Sequence, residues 1–225
     1  QTERIGESSE GATLAKVNAD FTAGVLVSIN CETDFVAKND SYLDLANSLV
    51  NKALDYDTLE NFLSSDFEGM TVAEKLIEQT GVIGEKIEIG AFKKLTAPYV
   101  GSYIHAGNKI AALVGLSGIV DNAAEISKNV AMQVAAMNPI ALDEEGVEAS
   151  IIQKEIEIAK DQLRKEGKPE EMLDNIAKGK IKRFFKDNTL INQAYIKDSK
   201  ISVANYVKSI DPDLTLTGFM RIALG

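Results

Sequence analysis

Thr13-Leu14-Ala15-Lys16-Val17 and Val25-Leu26-Val27-Ser28-Ile29 are two short apolar runs rich in β-branched residues, separated by Asn18-Ala19-Asp20 and Gly24. Two such runs across turn-forming residues read as a β-hairpin covering about residues 11–31. Beyond it, Tyr42, Leu45, Ala46, Leu49 and Ala53 recur at helical spacing. They predict a helix from about Ser41 to Leu54, capped by Asn39 or Asp40. Leu59, Phe62, Leu63 and Phe67 stand among acids and serines, so a short helix and a loop are expected between Asp55 and Gly69. Thr71-Val72-Ala73-Glu74 is a capping box, opening a helix expected to stop at Gly81. Lys86 to Leu95 then alternates as a strand, with Ile87, Ile89 and Ala91 expected on one face.

The pattern recurs after Pro98. Tyr99 to Ile104 and Lys109 to Leu116 form a second hairpin around His105-Ala106-Gly107-Asn108, and a helix follows from about Asn122 to Met137, ahead of Pro139. Ser202-Val203-Ala204 opens a helix as Thr71-Val72-Ala73 does, Asp211-Pro212-Asp213 breaks it, and Leu214 to Leu224 alternates as a last strand. Both halves read hairpin, helix, helix, strand, which is an internal duplication. Setting Ile29 against Val114 gives an offset of 85, and Val72 against Val203 one of 131, so the second half carries about 46 extra residues. Most of them fall at about 147–186. There Ile152, Ile156, Ala159 and Leu163 step by 4, 3 and 4, a heptad-like seam. Gly167-Lys168-Pro169 separates them from Leu173, Ile176, Ala177, Ile181 and Phe184, with proline expected at the first position of the second helix. Two helices joined by so short a break fold back antiparallel. The expected fold is therefore α+β: two duplicated subdomains (1–97 and 98–225), each a small antiparallel sheet packed with helices, plus an inserted antiparallel, coiled-coil-like helical hairpin.

Composition narrows the function. The 225 residues hold 34 acidic and 24 basic side chains, a net charge of −10. Such a chain repels phosphate backbones, so nucleic acid is not the expected main ligand. Apolar stretches fall far short of the roughly 18 residues of a membrane-spanning helix. One cysteine, Cys31, excludes an internal disulfide and a cysteine-rich zinc site, and a lone thiol fits a reducing cytosol. One histidine, His105, excludes HExxH and leaves a single ring for any catalytic triad. Gly81-Val82-Ile83-Gly84-Glu85-Lys86 lacks phosphate-loop spacing, and Glu60 stands where a calcium loop starting at Asp55 needs glycine. No metal site and no cofactor are expected. The reading is a binding protein and not an enzyme. The chain starts at Gln1 without a signal-peptide pattern, and a piece of a longer protein is expected.

The junction Cys31-Glu32-Thr33-Asp34-Phe35-Val36 links a buried strand to an acidic helix start. Strand-to-helix connections lie at the surface. Phe35 there is either a hydrophobic staple packed back on the following helix or an exposed aromatic anchor. On chemistry alone the staple is favoured, since local packing is the commoner fate of an apolar ring. His105 reads as a polar turn residue, and Cys31 as a small buried hydrophobe and not a reactive thiol.

The run Ile29-Asn30-Cys31-Glu32-Thr33-Asp34-Phe35-Val36-Ala37-Lys38 resembles the signature of bacterial elongation factor Ts. Gly101-Ser102-Tyr103-Ile104-His105, Ala131-Met132-Gln133-Val134-Ala135-Ala136, Gly167-Lys168-Pro169 and Gly218-Phe219-Met220-Arg221 resemble further blocks of that family in the same order. Ser28 replaces a usual acid, Gln133 a frequent histidine and Ala111 a common glycine. The resemblance implies a cytoplasmic guanine nucleotide exchange factor for elongation factor Tu in translation elongation. It also implies that a three-helix, ubiquitin-associated-like domain is missing ahead of Gln1, with Gln1 to Gly11 the end of a linker, and that the family's tail beyond Gly225 is missing.

Further expectations follow from that resemblance. Asp34 and Phe35, shaped by Thr33 and Val36, would enter the partner's nucleotide-binding domain and displace the elements around its magnesium and phosphate site. The second subdomain would meet a β-barrel domain of the partner through Lys109, Ile110, Ala111 and Gln133. The hairpin would support the complex without acting as the wedge, its apolar positions being consumed in its own seam. A rival reading, an RNA- or protein-binding scaffold of the translation apparatus, rests on the aromatic-interleaved basic run Lys178 to Lys186. The plainer account of that run is a solvated helix face pairing with Glu155, Glu157 and Asp161.

Overall fold

The computed structural model describes residues 10–105 and 107–224. The expectation that Gln1 to Gly11 ends a linker lies outside these up to residue 9, and Ala106 of the second hairpin turn is outside them too. Glu10 and Gly11 already belong to the first strand. The chain divides into two compact units, one of residues up to 136 with 217 onwards, the other of 137–216.

The first unit opens with strands β1 (Glu10–Val17) and β2 (Ala23–Cys31), paired antiparallel from Glu10↔Cys31 to Val17↔Gly24. Helices α1 (Asp34–Ala37), α2 (Asp40–Ala53) and α3 (Leu59–Leu63) follow, then the small ribbon β3 (Asp66–Phe67) and β4 (Met70–Thr71), helix α4 (Val72–Ile83) and strand β5 (Glu88–Thr96). Strand β5 pairs antiparallel with β2, giving the sheet order β1-β2-β5. Strands β6 (Tyr99–His105) and β7 (Ile110–Leu116), helix α5 (Ala123–Met137) and the last strand β10 (Leu216–Ala223) build a sheet of order β10-β7-β6. In both sheets the second hairpin strand is central, flanked by the first strand and the last. The duplication read from the sequence is therefore a duplication of topology.

Each sheet has one face on helices and the other towards its counterpart. Val25, Val27 and Ile29 of β2 meet Tyr42, Leu45, Ala46 and Leu49 of α2 in one apolar core. Leu26, pointing the opposite way by the period of a strand, meets Val100, Ala111, Leu113 and Ile222 in a second core between the sheets. Helix α5 lies so close on its sheet that a Cβ at Gly101 would stand 2.0 Å from the Ser127 hydroxyl oxygen. Arg221 of β10 donates from Nη2 to the Ala135 carbonyl of the same helix at 3.2 Å.

Three local expectations are corrected. Helix α4 runs through Gly81 to Ile83 and stops at Gly84, whose φ of 84° is left-handed and whose N–H donates to Thr80. An interior glycine costs about 1 kcal/mol but does not end a helix; the left-handed position does. The capping box that opens it is formed in full, Thr71 accepting from the Glu74 N–H at 3.1 Å and Glu74 from the Thr71 N–H at 2.8 Å. Ile87, Ile89 and Ala91 do not share a face. Ser28 pairs with Ala91 and Ile29 with Ile89, leaving Gly90 as an extra bulged residue. Beyond the bulge Phe92 takes the helix side and Ala91 turns to the other sheet. Finally, Leu214 is a buried loop residue, and the last strand starts only at Leu216.

The second unit holds helices α6 (Ala149–Lys165) and α7 (Glu170–Asn188), packed on each other, then strands β8 (Ala194–Tyr195) and β9 (Asp198–Ser202) and helix α8 (Val203–Ile210). Ser202 caps α8 and ends the β8–β9 ribbon, as Thr71 does for α4 after β3–β4; neither ribbon was expected from sequence. Gly167 turns the hairpin at a φ of 85°, and Pro169 is the N-cap of α7, one position ahead of the expected first turn. Ala159, Leu163, Leu173 and Ala177 bury the seam near the turn. Towards the other end Ile156, Ile181 and Phe185 line an open groove, so the hairpin does not consume all its apolar positions. Its cross-helix ion pairs are Lys160–Asp174 (2.8 Å) and Arg164–Glu170 (2.9 Å). The expected pairing of the basic run with Glu155, Glu157 and Asp161 is not among them. Asp161 pairs with Arg164, and Arg183 with Asp187 one turn on.

Gly101→Ala is expected to lower stability by about 1–3 kcal/mol, since its methyl group has no room against Ser127, with denaturant unfolding as the measurement. Gly101→Ala with Ser127→Gly should recover part of that loss. Deleting 147–186 and closing the gap with a short linker should leave the sheet unit folded, which amide exchange protection in β2 would report.

Candidate functional site

The strand-to-helix junction is built by a change of backbone conformation at its first threonine. Thr33 is extended (φ −127°, ψ 157°) and is the N-cap of α1, its hydroxyl accepting from the Val36 N–H at 3.4 Å. One helical turn follows, closed by the Ala37 N–H on the Thr33 carbonyl and the Lys38 N–H on that of Asp34. Residues in a helix are about 100° apart around its axis. Val36 and Ala37 therefore pack against the core of α2 and the sheet while Asp34 and Phe35 point away. Phe35 is 84 % exposed, the most exposed large apolar side chain described. The staple reading is thereby overturned. The N-cap of α2 is Asn39, so Phe35 stands a whole turn too early to reach that helix, and Val36 does the packing instead.

A second loop holds the first. The Glu85 carboxylate, placed directly after the left-handed Gly84, accepts from the N–H groups of Glu32 and Thr33, both at 3.0 Å. Its other oxygen accepts from the Thr33 hydroxyl at 2.7 Å. Glu32 answers by accepting from the Lys86 N–H at 2.7 Å. The Thr33 hydroxyl and then the two backbone donors hold the Glu85 carboxyl below the usual carboxylate range. A depressed folded value means that the contribution to stability is present above the ordinary carboxylate range and lost as pH falls through the lower one. Sequence reasoning named Glu85 only as part of a failed phosphate loop; nothing local links it to Thr33, 52 residues away.

Beneath the loop, Cys31 is buried and its thiol contacts the Thr33 carbonyl at 3.3 Å, while the Tyr42 hydroxyl donates to the Ile29 carbonyl. Burial pushes the Cys31 thiol up, as expected of a small hydrophobe and not of a nucleophile. Asp34 and Lys38 stand 3.9 Å apart at the surface. Among the described residues no group of three His, Cys, Asp or Glu side chains is placed to hold a metal, and no helix is long and apolar enough to cross a membrane.

The remaining expected site residues differ in what they expose. Lys109 pairs with Glu10 at 3.1 Å and Ile110 is half-buried. Ala111 lies fully buried between the sheets and Gln133 fully buried in α5, so neither offers a side-chain surface to a partner. His105 is exposed, its Nδ1 within 2.7 Å of the Tyr103 hydroxyl. On α7, Lys178, Lys180, Lys182, Arg183 and Lys186 are exposed but Phe184 and Phe185 are half-buried against one another. That arrangement is a solvated cationic face and not a row of open aromatic platforms.

A family model described as elongation factor TS matches residues 32–225. The elongation factor Ts of Christiangramia forsetii is 65 % identical over 219 residues, covering 97 % of this chain and 80 % of the relative. That of Flavobacterium psychrophilum is 64 % identical over the same shares, and that of Amoebophilus asiaticus 43 % identical over 222 residues. With a match through both sheets, the exposed junction and the helical hairpin, this chain belongs to the elongation factor Ts family.

Proposed function

We propose that this chain performs its family's task, guanine nucleotide exchange on elongation factor Tu during translation elongation, through a wedge made of Asp34 and Phe35 on the rigid turn set by Thr33 and Val36. Elongation factor Ts is a non-catalytic exchange factor: no bond is made or broken on it. The observation that carries the wedge reading is the exposure of Phe35, 84 %, on a turn whose backbone N–H groups at Glu32, Thr33, Val36, Ala37 and Lys38 are all hydrogen-bonded. A ring left in water forgoes roughly 1.5–3 kcal/mol of burial energy, which insertion into a partner recovers. The target of the wedge is the set of elements around the partner's magnesium and nucleotide phosphates. Those charges are mutually supporting, so a small displacement of the groups that orient them weakens the whole set.

A wedge accelerates release only by binding the distorted, nucleotide-free state better than the loaded one. Linkage is reciprocal: the factor weakens nucleotide binding by the ratio with which nucleotide weakens the factor's binding, and excess GTP completes the cycle. Burial of one ring is too little for that, so a broad interface contributes the rest. In this reading the residues of 1–97 meet the partner's nucleotide-binding domain. Those of 98–225 meet a β-barrel domain, with Lys109 and Ile110 as the side chains available for it. The helical hairpin supports the complex from outside the wedge.

Phe35→Ala is expected to stay within about 0.5 kcal/mol of wild-type stability, as an exposed position does. Its acceleration of GDP release should fall, about tenfold for each roughly 1.4 kcal/mol of differential binding lost. Asp34→Ala should slow exchange in the same direction. Denaturant unfolding and stopped-flow release of labelled GDP on one Phe35→Ala preparation check both points; wild-type acceleration by a folded Phe35→Ala protein would remove the wedge.

A further inference from the structure

We propose that Glu85 is a positioning residue for exchange: its carboxylate clasps the turn that carries Asp34 and Phe35 and sets that turn before the partner arrives. This rests on the wedge reading above. Helix α1 has no fully buried residue, and only Val36 and Ala37 pack, half-buried, against the core beneath it. A polar clasp adds to that packing from the side. Three donors converge on Glu85, the N–H groups of Glu32 and Thr33 at 3.0 Å and the Thr33 hydroxyl at 2.7 Å, and Glu32 returns a fourth bond to the Lys86 N–H at 2.7 Å. Hydrogen bonds to an ionised acceptor are about twice as strong as neutral ones. The same threonine hydroxyl that donates to Glu85 caps α1 by accepting from the Val36 N–H, so the clasp sets the direction of the turn on which Phe35 sits.

The geometry demands a carboxylate of this length. One oxygen serves two backbone donors while the other serves the hydroxyl. Aspartate is one methylene short of that reach. Glutamine keeps one acceptor oxygen for the backbone pair and offers an N–H to the Thr33 oxygen, so it preserves most of the clasp. Gly84 contributes by turning the chain at a left-handed φ of 84° immediately before Glu85, which brings the carboxylate out of the helix direction and onto the neighbouring loop. A turn ordered in the free protein loses less conformational freedom on insertion than a loose one, so ordering favours the state in which the ring is inserted.

The test is a double-mutant cycle read by labelled-GDP release from elongation factor Tu over a range of factor concentrations. Glu85→Ala is expected to lower the maximal release rate about tenfold, the equivalent of one charge-assisted hydrogen bond of positioning, while the half-saturating concentration stays within about twofold. Glu85→Gln is expected to keep most of the rate, and it carries the test if the alanine variant unfolds. In a Phe35→Ala background, Glu85→Ala should cause a clearly smaller fall, because the clasp then has only Asp34 left to aim. Equal falls in both backgrounds would overturn the proposal, showing that Glu85 acts elsewhere than through the ring. A wild-type rate for Glu85→Ala beside a slow Phe35→Ala would overturn the clasp alone. A wild-type rate for Phe35→Ala would overturn the wedge and the clasp with it.

Discussion

Burial of β2 on both faces is the constraint on which the sheet unit depends. Eight of its nine residues are buried, from Gly24 to Cys31. Val25, Val27 and Ile29 are covered by helices, and Leu26 by the second sheet. A strand enclosed in this way must pair on both edges, because an unpaired backbone group there would cost free energy comparable to a lost hydrogen bond. Strands β1 and β5 supply that pairing. Close approach between the sheets also restricts what fits on the inner faces: a Cβ at Gly24 would lie 2.9 Å from Leu113. The register of β2 thereby fixes where its last residue, Cys31, ends and the exposed turn begins.

That turn has the opposite physical character. It is exposed, short and acidic, and beside the half-buried packing of Val36 and Ala37 it is held by hydrogen bonds between two loops 52 residues apart in the chain. An apolar ring standing in water beside a fully packed core is a local conflict in an otherwise consistent design, and such conflicts concentrate at functional sites. Here the conflict is held in place by a rigid strand below and a carboxylate beside. Both halves of the duplicated fold share strand order and the capped-helix ending of their ribbons, but at the offset of 85 Asp34 and Phe35 fall on Ile119, 72 % exposed, and Val120, with no acid–aromatic pair. After Leu116 the chain runs through Ser117 and Gly118 to Ile119 before α5 begins.

The helical hairpin follows simpler rules. Its tip is closed by Ala159, Leu163, Leu173 and Ala177 together with two cross-helix ion pairs. Exposed pairs of that kind contribute about 0–1 kcal/mol each, so the apolar seam carries the stability and the charges help to set register. Lower down the seam opens, and lysines 160, 178 and 182 extend along the apolar groove there.

Within windows of ten to twenty residues the sequence determined a great deal. The hairpins, α2 and α5, the capping box at Thr71, the two-helix insertion and the duplication all rest on period and turn chemistry, which act between near neighbours and leave their mark locally. The resemblance at Thr33 to Val36 located the candidate site, but the fate of Phe35 could not be read, since staple and anchor have the same local pattern. Tertiary structure decided that question by inserting one helical turn before Asn39. It also decided the bulge at Gly90, which reversed the face of Ala91, the burial of Ala111 and Gln133, and the meeting of Glu85 with Thr33. Each of these depends on which distant strand or loop lies alongside. No propensity within one segment encodes that, because the partners are brought together only when two buried faces close on each other.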